Sequence, residues 1–96
     1  MEIGYEKKLD DLAIILEPNY NYKESIEVDK NFIIDVDTNN KLVAIEVINC
    51  SKQVGVTPDY IEKAKKEVFV EIYEFSYKII ISFNDGEYEL TKRVLK

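Results

Sequence analysis

The sequence has no histidine and no tryptophan, and its 96 residues include only one cysteine, two prolines and three glycines. Without histidine, the chain lacks the side chain that most often acts as a general base or metal ligand. The single cysteine, Cys50, excludes an internal disulfide and has no histidine to activate its thiol. The three glycines are scattered, so there is no glycine-rich phosphate loop. We therefore expect no catalytic residue, no bound metal and no cofactor.

Positive charge is also scarce, because thirteen basic residues face nineteen acidic ones and leave a formal net charge of −6. An acidic surface repels phosphate backbones, so we expect no binding to nucleic acid. No apolar run approaches the roughly 20 residues that cross a membrane. Charges at Lys7, Lys8, Asp10 and Asp11 interrupt any signal-like apolar segment near the start. We expect a cytoplasmic protein without membrane contact.

The residues that are present suit a folded, β-rich domain. Apolar residues make up 46% of the chain and charged residues 33%, as in ordinary globular proteins. The apolar residues are mostly Ile, Val and Tyr, which favour a pleated sheet. A chain of this length predicts a single domain over residues 1–96 with a modest core, and we expect a homodimer. Abundant lysine and glutamate with scarce glutamine is typical of hyperthermophiles, although an A+T-rich genome gives the same bias.

Alternation of apolar and polar residues predicts a mostly antiparallel β domain with one short helix. Residues 1–52 form a predicted β-meander with strands near 3–5, 12–16, 24–29, 32–36 and 42–48. The helix is predicted at residues 57–67, where Thr57 can cap it and Pro58 suits its first position. Residues 68–95 form a predicted C-terminal three-strand meander. The predicted fold class is α+β, and the pattern leaves open whether the last strands extend the first sheet or form a second.

One stretch, "DVDTNNKLVAIE" from Asp35 to Glu46, has nearly the spacing of an EF-hand calcium loop. Its flanks are β-branched rather than helical, which indicates a hairpin instead. A three-residue turn would set Asp37 opposite Lys41, and Asp35 and Glu46 would then point to opposite faces. In a two-residue turn those two carboxylates share a face but lie roughly 14 Å apart. Calcium–oxygen bonds are about 2.3 to 2.6 Å, so neither register predicts a calcium site.

A few residues are candidates for function. Glu46 is a charge inside the apolar run "VAIEVI", and a buried glutamate needs a hydrogen-bond or cation partner or stays protonated. Structural pairing is the favoured interpretation of Glu46, and Cys50 is interpreted as a small core residue. Tyrosine suits partner contact because it brings a large area with one polar tip, but it is equally an ordinary strand residue. Five tyrosines are candidates for an exposed aromatic surface: Tyr20, Tyr22, Tyr73, Tyr77 and Tyr88. Of these, Tyr73, Tyr77 and Tyr88 are the predicted partner contacts.

The first half of the chain resembles a known family. "YEKKLDDLAIIL" followed by "ESIEVDKNFIIDVDTNNKLVAIEVINCSK" is similar to the domain of unknown function 2283 family of small bacterial and archaeal proteins. The family pattern is Y-D-x-x-x-D-x-L-Y-I-x-L, then E-x-x-E-V, then V-x-D-x-D-x-x-G-x-x-V-G-I-E-I-L. The fit runs in order through Tyr5, Asp11, Ala13, Ile14, Glu27, Val28, Ile34, Asp35, Asp37, Val43, Ile45, Glu46 and Val47. Asn40 and Ala44 stand where the pattern has glycine. The resemblance covers about residues 3–52 and leaves the C-terminal part uncovered.

The resemblance implies a hairpin at the acidic motif and carries no catalytic assignment. Some family members lie beside small toxin-like proteins, so by analogy it implies an antitoxin-like protein with a small protein partner. We therefore predict a non-enzymatic protein–protein interaction module that forms a homodimer. One alternative is a carboxylate-dependent hydrolase using Glu46 with Asp35 or Asp37, which requires these side chains to converge in a cleft. Another is a purely structural subunit.

Overall fold

The computed structural model describes residues 1–96 and contains eight strands and two short helices. The strands are β1 Glu2–Glu6, β2 Asp11–Ile15, β3 Tyr22–Asp29, β4 Phe32–Asp37, β5 Leu42–Ile48, β6 Lys66–Ile72, β7 Ser76–Phe83 and β8 Tyr88–Leu95, and the helices are α1 Cys50–Val54 and α2 Pro58–Lys63. All neighbouring strands are antiparallel, in a five-stranded sheet of order β1-β2-β5-β4-β3 and a three-stranded sheet of order β6-β7-β8. The α+β prediction is confirmed, and the C-terminal meander forms a second sheet.

The two sheets pack face to face because their strands alternate between buried and more exposed residues. In β4, Phe32, Ile34 and Val36 are buried while their neighbours are partly exposed. A cluster of 18 buried residues joins the inner faces of both sheets. Lys92 of β8 crosses between the sheets: its Nζ lies 3.0 Å from Asp29 Oδ2 and 5.9 Å from the centre of the Phe32 ring. Hydrophobic burial therefore holds the sandwich together, and one ion pair spans its edge.

Asparagine and aspartate make most of the tight turns, and only Gly55 and Gly86 add glycines with positive φ. All six non-glycine residues with positive φ are of these two types, namely Asp10, Asn19, Asn40, Asn49, Asn84 and Asp85. Their short polar side chains tolerate the left-handed conformation better than other residues do. The scarcity of glycine in the sequence is thus compatible with many tight turns.

The helix predicted at residues 57–67 is shorter than expected. It begins as predicted, with Thr57 Oγ1 accepting the N–H of Tyr60 at 3.2 Å, but it ends at Lys63. Lys65 is held extended by Asn84, whose side-chain oxygen accepts the Lys65 N–H at 3.0 Å and whose own N–H donates to the Lys65 carbonyl at 2.8 Å. Residues 66 and 67 consequently belong to β6, because a contact with a distant turn ends the helix.

Helix α1 was not predicted from the sequence. Its first turn is anchored by Asp10, which accepts the Ser51 N–H at 2.9 Å and the Ser51 hydroxyl at 2.7 Å. Burial alone would raise the pKa of Asp10, but hydrogen bonds from Tyr5 and Ser51 lower it overall. Cys50 is fully buried, as predicted, and its burial near Asp10 and Asp11 raises the pKa of its thiol to about 12. Neither helix is long and apolar enough to cross a membrane.

The stretch that resembles a calcium loop is a hairpin tip. The Asp37 N–H donates to the Lys41 carbonyl at 3.0 Å, as the three-residue turn requires. Asp37 Oδ1 accepts the N–H groups of Asn39 and Lys41 at 2.8 and 2.9 Å. This carboxylate is therefore part of the turn, which confirms the hairpin prediction.

Beyond the tip, a β-bulge changes the register. Val43 has no partner on β4, so Asp35 lies opposite Ala44 and Ile33 lies opposite Glu46. One inserted residue reverses the face to which each later side chain points. The pairing predicted from the turn, which set Asp35 and Glu46 on opposite faces, is wrong. Both carboxyl groups lie on the outer face of the five-stranded sheet.

The two ends of the sandwich differ. At one end α1 packs on β8 and α2 on β1, and the Tyr60 and Tyr88 rings meet edge to face at 5.2 Å. At the other end the Tyr77 hydroxyl donates to the carbonyl of Asn40 at 3.3 Å. Tyr77 stands between two apolar grooves of about 540 and 330 Å³. One end is thus covered by helices and the other is left open.

Replacing Ile79 by alanine tests this packing, because Ile79 is fully buried between the sheets. We expect a loss of about 2–5 kcal/mol in the free energy of unfolding, measured by urea denaturation. Leu9→Ala is the control, since Leu9 is 70% exposed, and its effect should stay within about 0.5 kcal/mol. Equal effects of the two substitutions would contradict the packing of the sheets.

Candidate functional site

The outer face of the five-stranded sheet carries charge of one sign. Strands β1, β2, β4 and β5 contain six acidic residues and no lysine or arginine. The strand pairings place on this face the carboxyl groups of Glu2, Glu6, Asp11, Glu27, Asp35 and Glu46. Residues 1–49 hold eleven acidic and five basic side chains, whereas residues 50–96 hold eight of each. The whole net charge therefore belongs to the part of the chain that forms this sheet.

Three of these carboxyl groups form a diagonal row across the middle of the face. Glu46 of β5 lies between Ala13 of β2 and Ile33 of β4. Asp11 is two residues from Ala13 along β2, and Asp35 is two residues from Ile33 along β4. Diagonal neighbours on antiparallel strands are about 7–8 Å apart, within reach of long side chains. We call Asp11, Glu46 and Asp35 the carboxyl row.

Two members of the carboxyl row, Asp11 and Glu46, share a hydrogen bond that affects the ionisation of Glu46. Asp11 Oδ1 is buried and meets no N–H or hydroxyl donor. A hydrogen bond with Asp11, burial, and the charges of Asp11 and Asp35 all raise the pKa of Glu46. Because an ionised carboxylate only accepts hydrogen bonds, a bond between these two groups exists only when one carries a proton. The raised pKa makes Glu46 the group that holds a proton more readily than an isolated glutamate, and Asp11 is the partner that the sequence did not identify.

Hydroxyl groups hold the other end of the row. The Ser25 hydroxyl donates to Asp35 Oδ1 at 2.6 Å, and the Tyr22 hydroxyl lies 2.8 Å from Ser25 Oγ. Tyr20 also lies beside Asp35, and burial together with that carboxylate raises the pKa of Tyr20. Tyr20, Asp35 and Glu46 line a shallow cavity of about 210 Å³ with two alanines and three isoleucines of β2 and β5. This end of the row is held in place by neighbours that carry no positive charge.

The sheet surface is low on the β1–β2 side of the row, where its residues are small. Gly4 lies opposite Ala13, and no atom comes within 4 Å of the position a Cβ on Gly4 would occupy. Ala13 is exposed, whereas Ala44 is 8% exposed. Above this surface the side chains of the carboxyl row are partly exposed. No three side chains of the Asp, Glu or Cys type converge closely enough to hold a metal ion.

A comparison with known families covers this same sheet. The sequence model of a family described as "Protein of unknown function (DUF2283)" matches residues 2–51, just over half of the chain. The chain belongs to the DUF2283 family. The resemblance inferred from the sequence is confirmed, and the DUF2283 segment includes all of β1 to β5, with the whole carboxyl row. No curated protein and no solved structure matches the chain.

The tyrosines predicted as partner contacts of this DUF2283 protein lie away from the carboxyl row. Tyr77 is only 7% exposed and belongs to the core. Tyr73 is more exposed, in the β6–β7 turn, with the Arg93 guanidinium 5.1 Å from its ring centre. Tyr88 packs against Tyr60 at the helical end of the sandwich. The five candidate tyrosines are dispersed and do not form one aromatic surface.

Replacing Glu46 by glutamine should stabilise this DUF2283 protein at neutral pH. The folded state raises the pKa of Glu46, so folding is helped below the unfolded pKa of about 4.3 and loses that help as the pH rises through the folded value. The glutamine side chain has an N–H donor for Asp11 at every pH, so its hydrogen bond does not depend on protonation. At pH 7 we expect the free energy of unfolding to rise by about 0.5–2 kcal/mol, with the gain vanishing near pH 4.

Urea denaturation at both pH values measures this difference. Glu89→Gln on β8 is the matched control, since Glu89 is exposed and has no ion pair. The same change there should leave the pH dependence unaltered. A Glu46→Gln variant that is less stable at pH 7 than at pH 4, relative to the unmodified protein, would contradict a proton-dependent hydrogen bond between Glu46 and Asp11.

Proposed function

We propose that this DUF2283 protein is a non-enzymatic interaction module that acts in the cytoplasm as a homodimer. Its acidic sheet face binds a cationic segment of a small partner protein. The observation that carries the proposal is the segregation of charge: five carboxyl groups lie on the outer face of four adjoining strands, β1, β2, β5 and β4, that hold no basic residue, and Glu27 of the neighbouring β3 adds a sixth. Complementary potentials guide partner encounter and suppress wrong partners.

The carboxyl row indicates where the contact would be centred. In the free protein a hydrogen bond with Asp11, burial and the neighbouring carboxylates raise the pKa of Glu46, while Asp11 Oδ1 meets no N–H or hydroxyl donor. A lysine or arginine side chain over the row would supply donors to both carboxyl groups. Arginine suits this place best, because its planar fork of donors matches carboxylate geometry. Glu46 would then ionise, so binding would release a proton and strengthen as the pH rises.

The most specific form of the proposal is an antitoxin-like neutraliser. Such a protein forms a stable complex with one small basic partner and covers its charged surface. The net charge of −6 and its confinement to residues 1–49 support a partner of opposite sign. The family analogy to neighbours of toxin-like proteins points in the same direction, and the three-stranded sheet, with balanced charge, remains free for self-association.

Binding to an octa-arginine peptide, measured by calorimetry at low salt, tests the charged face. We compare two triple variants that remove equal charge. Glu27→Gln with Asp35→Asn and Glu46→Gln changes the acidic face. Glu67→Gln with Glu71→Gln and Glu89→Gln changes the outer face of the three-stranded sheet. We expect the first to weaken binding about tenfold or more and the second to weaken it less than about threefold.

Two further readouts of this experiment separate a defined surface from general charge attraction. Because the pKa of Glu46 is raised, affinity for the unmodified protein should rise as the pH increases above the ordinary glutamate pKa of about 4.3, and this rise should be absent in Glu46→Gln. Equal weakening by the two triple variants would show that only the total charge matters. That result would reject the acidic face as a binding site and favour a purely structural subunit.

A carboxylate-dependent hydrolase is a second candidate, favoured by one observation. Glu46, with its raised pKa, and Asp35 line the same 210 Å³ cavity, as an acid and a neighbouring carboxylate would. Asp37 is excluded from this catalytic role, because its carboxylate accepts backbone N–H groups in the exposed turn. A screen of chromogenic ester and glycoside substrates decides the matter: hydrolysis abolished by Glu46→Gln supports the candidate, and hydrolysis unchanged by it rejects the candidate.

A further inference from the structure

We infer that the edge strand β6 is the self-association surface of this protein. Two copies pair their β6 strands antiparallel about Val70 and join their three-stranded sheets into one continuous sheet. The inference rests on the homodimer in the proposed function and names its surface, whereas it is independent of cationic-partner binding. It commits to a second copy of this chain as the occupant of that edge.

Among the four sheet edges, β6 is the least protected. An exposed strand edge offers unpaired N–H and carbonyl groups to another chain, and proteins block such edges with bulges, charges, short length or covering elements. The β3 edge has two register irregularities, and β1 is only five residues long with glutamate at both ends. Helix α1 packs on β8. In contrast, β6 is seven residues long, has no glycine or proline and pairs with β7 without a bulge.

Apolar surface continues on both sides of the β6 edge. On the outer face Phe69 is 55% exposed, opposite Ile80 of β7. On the inner side Ile72 is 70% exposed and, with Val68 and Val70, lines the 540 Å³ groove at the open end of the sandwich. Large exposed apolar patches of this kind mark association sites in soluble proteins. A strand from a second copy would bond to the edge and cover apolar side chains on both faces.

Symmetry and charge select the register. Residues directly opposite each other in antiparallel strands point to the same face, so a symmetric pair must be centred on a residue. Centring on Phe69 would set Glu67 opposite Glu71 of the other copy on both sides of the axis, and opposed like charges destabilise a sheet. Centring on Val70 separates these carboxylates and sets Val68 opposite Ile72 of the second copy. Avoiding opposed carboxylates therefore favours pairing about Val70 over pairing about Phe69.

Light scattering during size-exclusion chromatography, over a range of concentrations, measures self-association. The test variant is Phe69→Lys with Ile72→Lys, and both positions are exposed enough to accept lysine without unfolding the protein. We expect the dimer dissociation constant to rise about 30-fold or more. The matched control is Leu9→Lys with Ile26→Lys, which places the same charges at exposed apolar positions in the β1–β2 turn and on β3 and should leave the dimer intact.

A cysteine at position 70 tests the register directly. In the proposed pairing the two copies of Val70→Cys face each other at about 4.5–5.5 Å between Cα atoms, which suits a disulfide. The native Cys50 is fully buried and does not compete. Mild oxidation should therefore give a covalent dimer on a non-reducing gel.

The outcomes separate this inference from the proposed function. A monomeric lysine variant together with a crosslinked Val70→Cys supports β6 pairing. A lysine variant that stays dimeric, or a Val70→Cys protein that does not crosslink, overturns β6 as the surface while the homodimer stands. An unmodified protein that is monomeric at every concentration overturns both the β6 inference and the homodimer. The peptide titration of the acidic face does not depend on self-association, so that outcome would leave it valid.

Discussion

One unpaired residue, Val43, decides which side chains of the central strand face the core. Its carbonyl accepts the N–H groups of Leu16 and Glu17 at 2.8 and 3.3 Å, which ties the bulge to the end of β2. Because side chains alternate along a strand, a hairpin without this bulge would point the Glu46 side chain into the core and the side chains of Ile45 and Val47 towards solvent. The hydrophobic core and the carboxyl row therefore depend on the same local irregularity.

The two halves of the chain contribute different surfaces. Residues 2–51, which match the DUF2283 family, form a sheet whose outer face is acidic and whose inner face is apolar. A sheet with one apolar face must bury it against another layer, and the three-stranded sheet supplies that layer. This second sheet has balanced charge and an unblocked apolar edge at β6. The proposed partner binding and the proposed self-association would thus use separate surfaces of one sandwich.

The strands were predictable from local alternation, and helix α2 from its Thr57 cap and proline, because both signals lie within a few residues. Features that depend on distant contacts were not predictable. Asp10 anchors α1 from 41 positions away, and Asn84 ends α2 from the far hairpin. The sequence identified Glu46 as an unusual charge, but the role of Asp11 follows from a register that the bulge at Val43 alters. The alternation of apolar and polar residues therefore predicts the strands. The sheet face on which a side chain lies, and the residue that it contacts, follow only from the three-dimensional fold.

The proposed binding of a cationic segment over the carboxyl row can be observed residue by residue in solution. The experiment titrates ¹⁵N-labelled protein with the arginine peptide and follows the backbone amide signals. We expect the largest shifts at Asp11, Asp35, Glu46 and their neighbours on β2, β4 and β5, with little change on β6 to β8. Shifts concentrated on the three-stranded sheet, or spread evenly over all acidic residues, would contradict it.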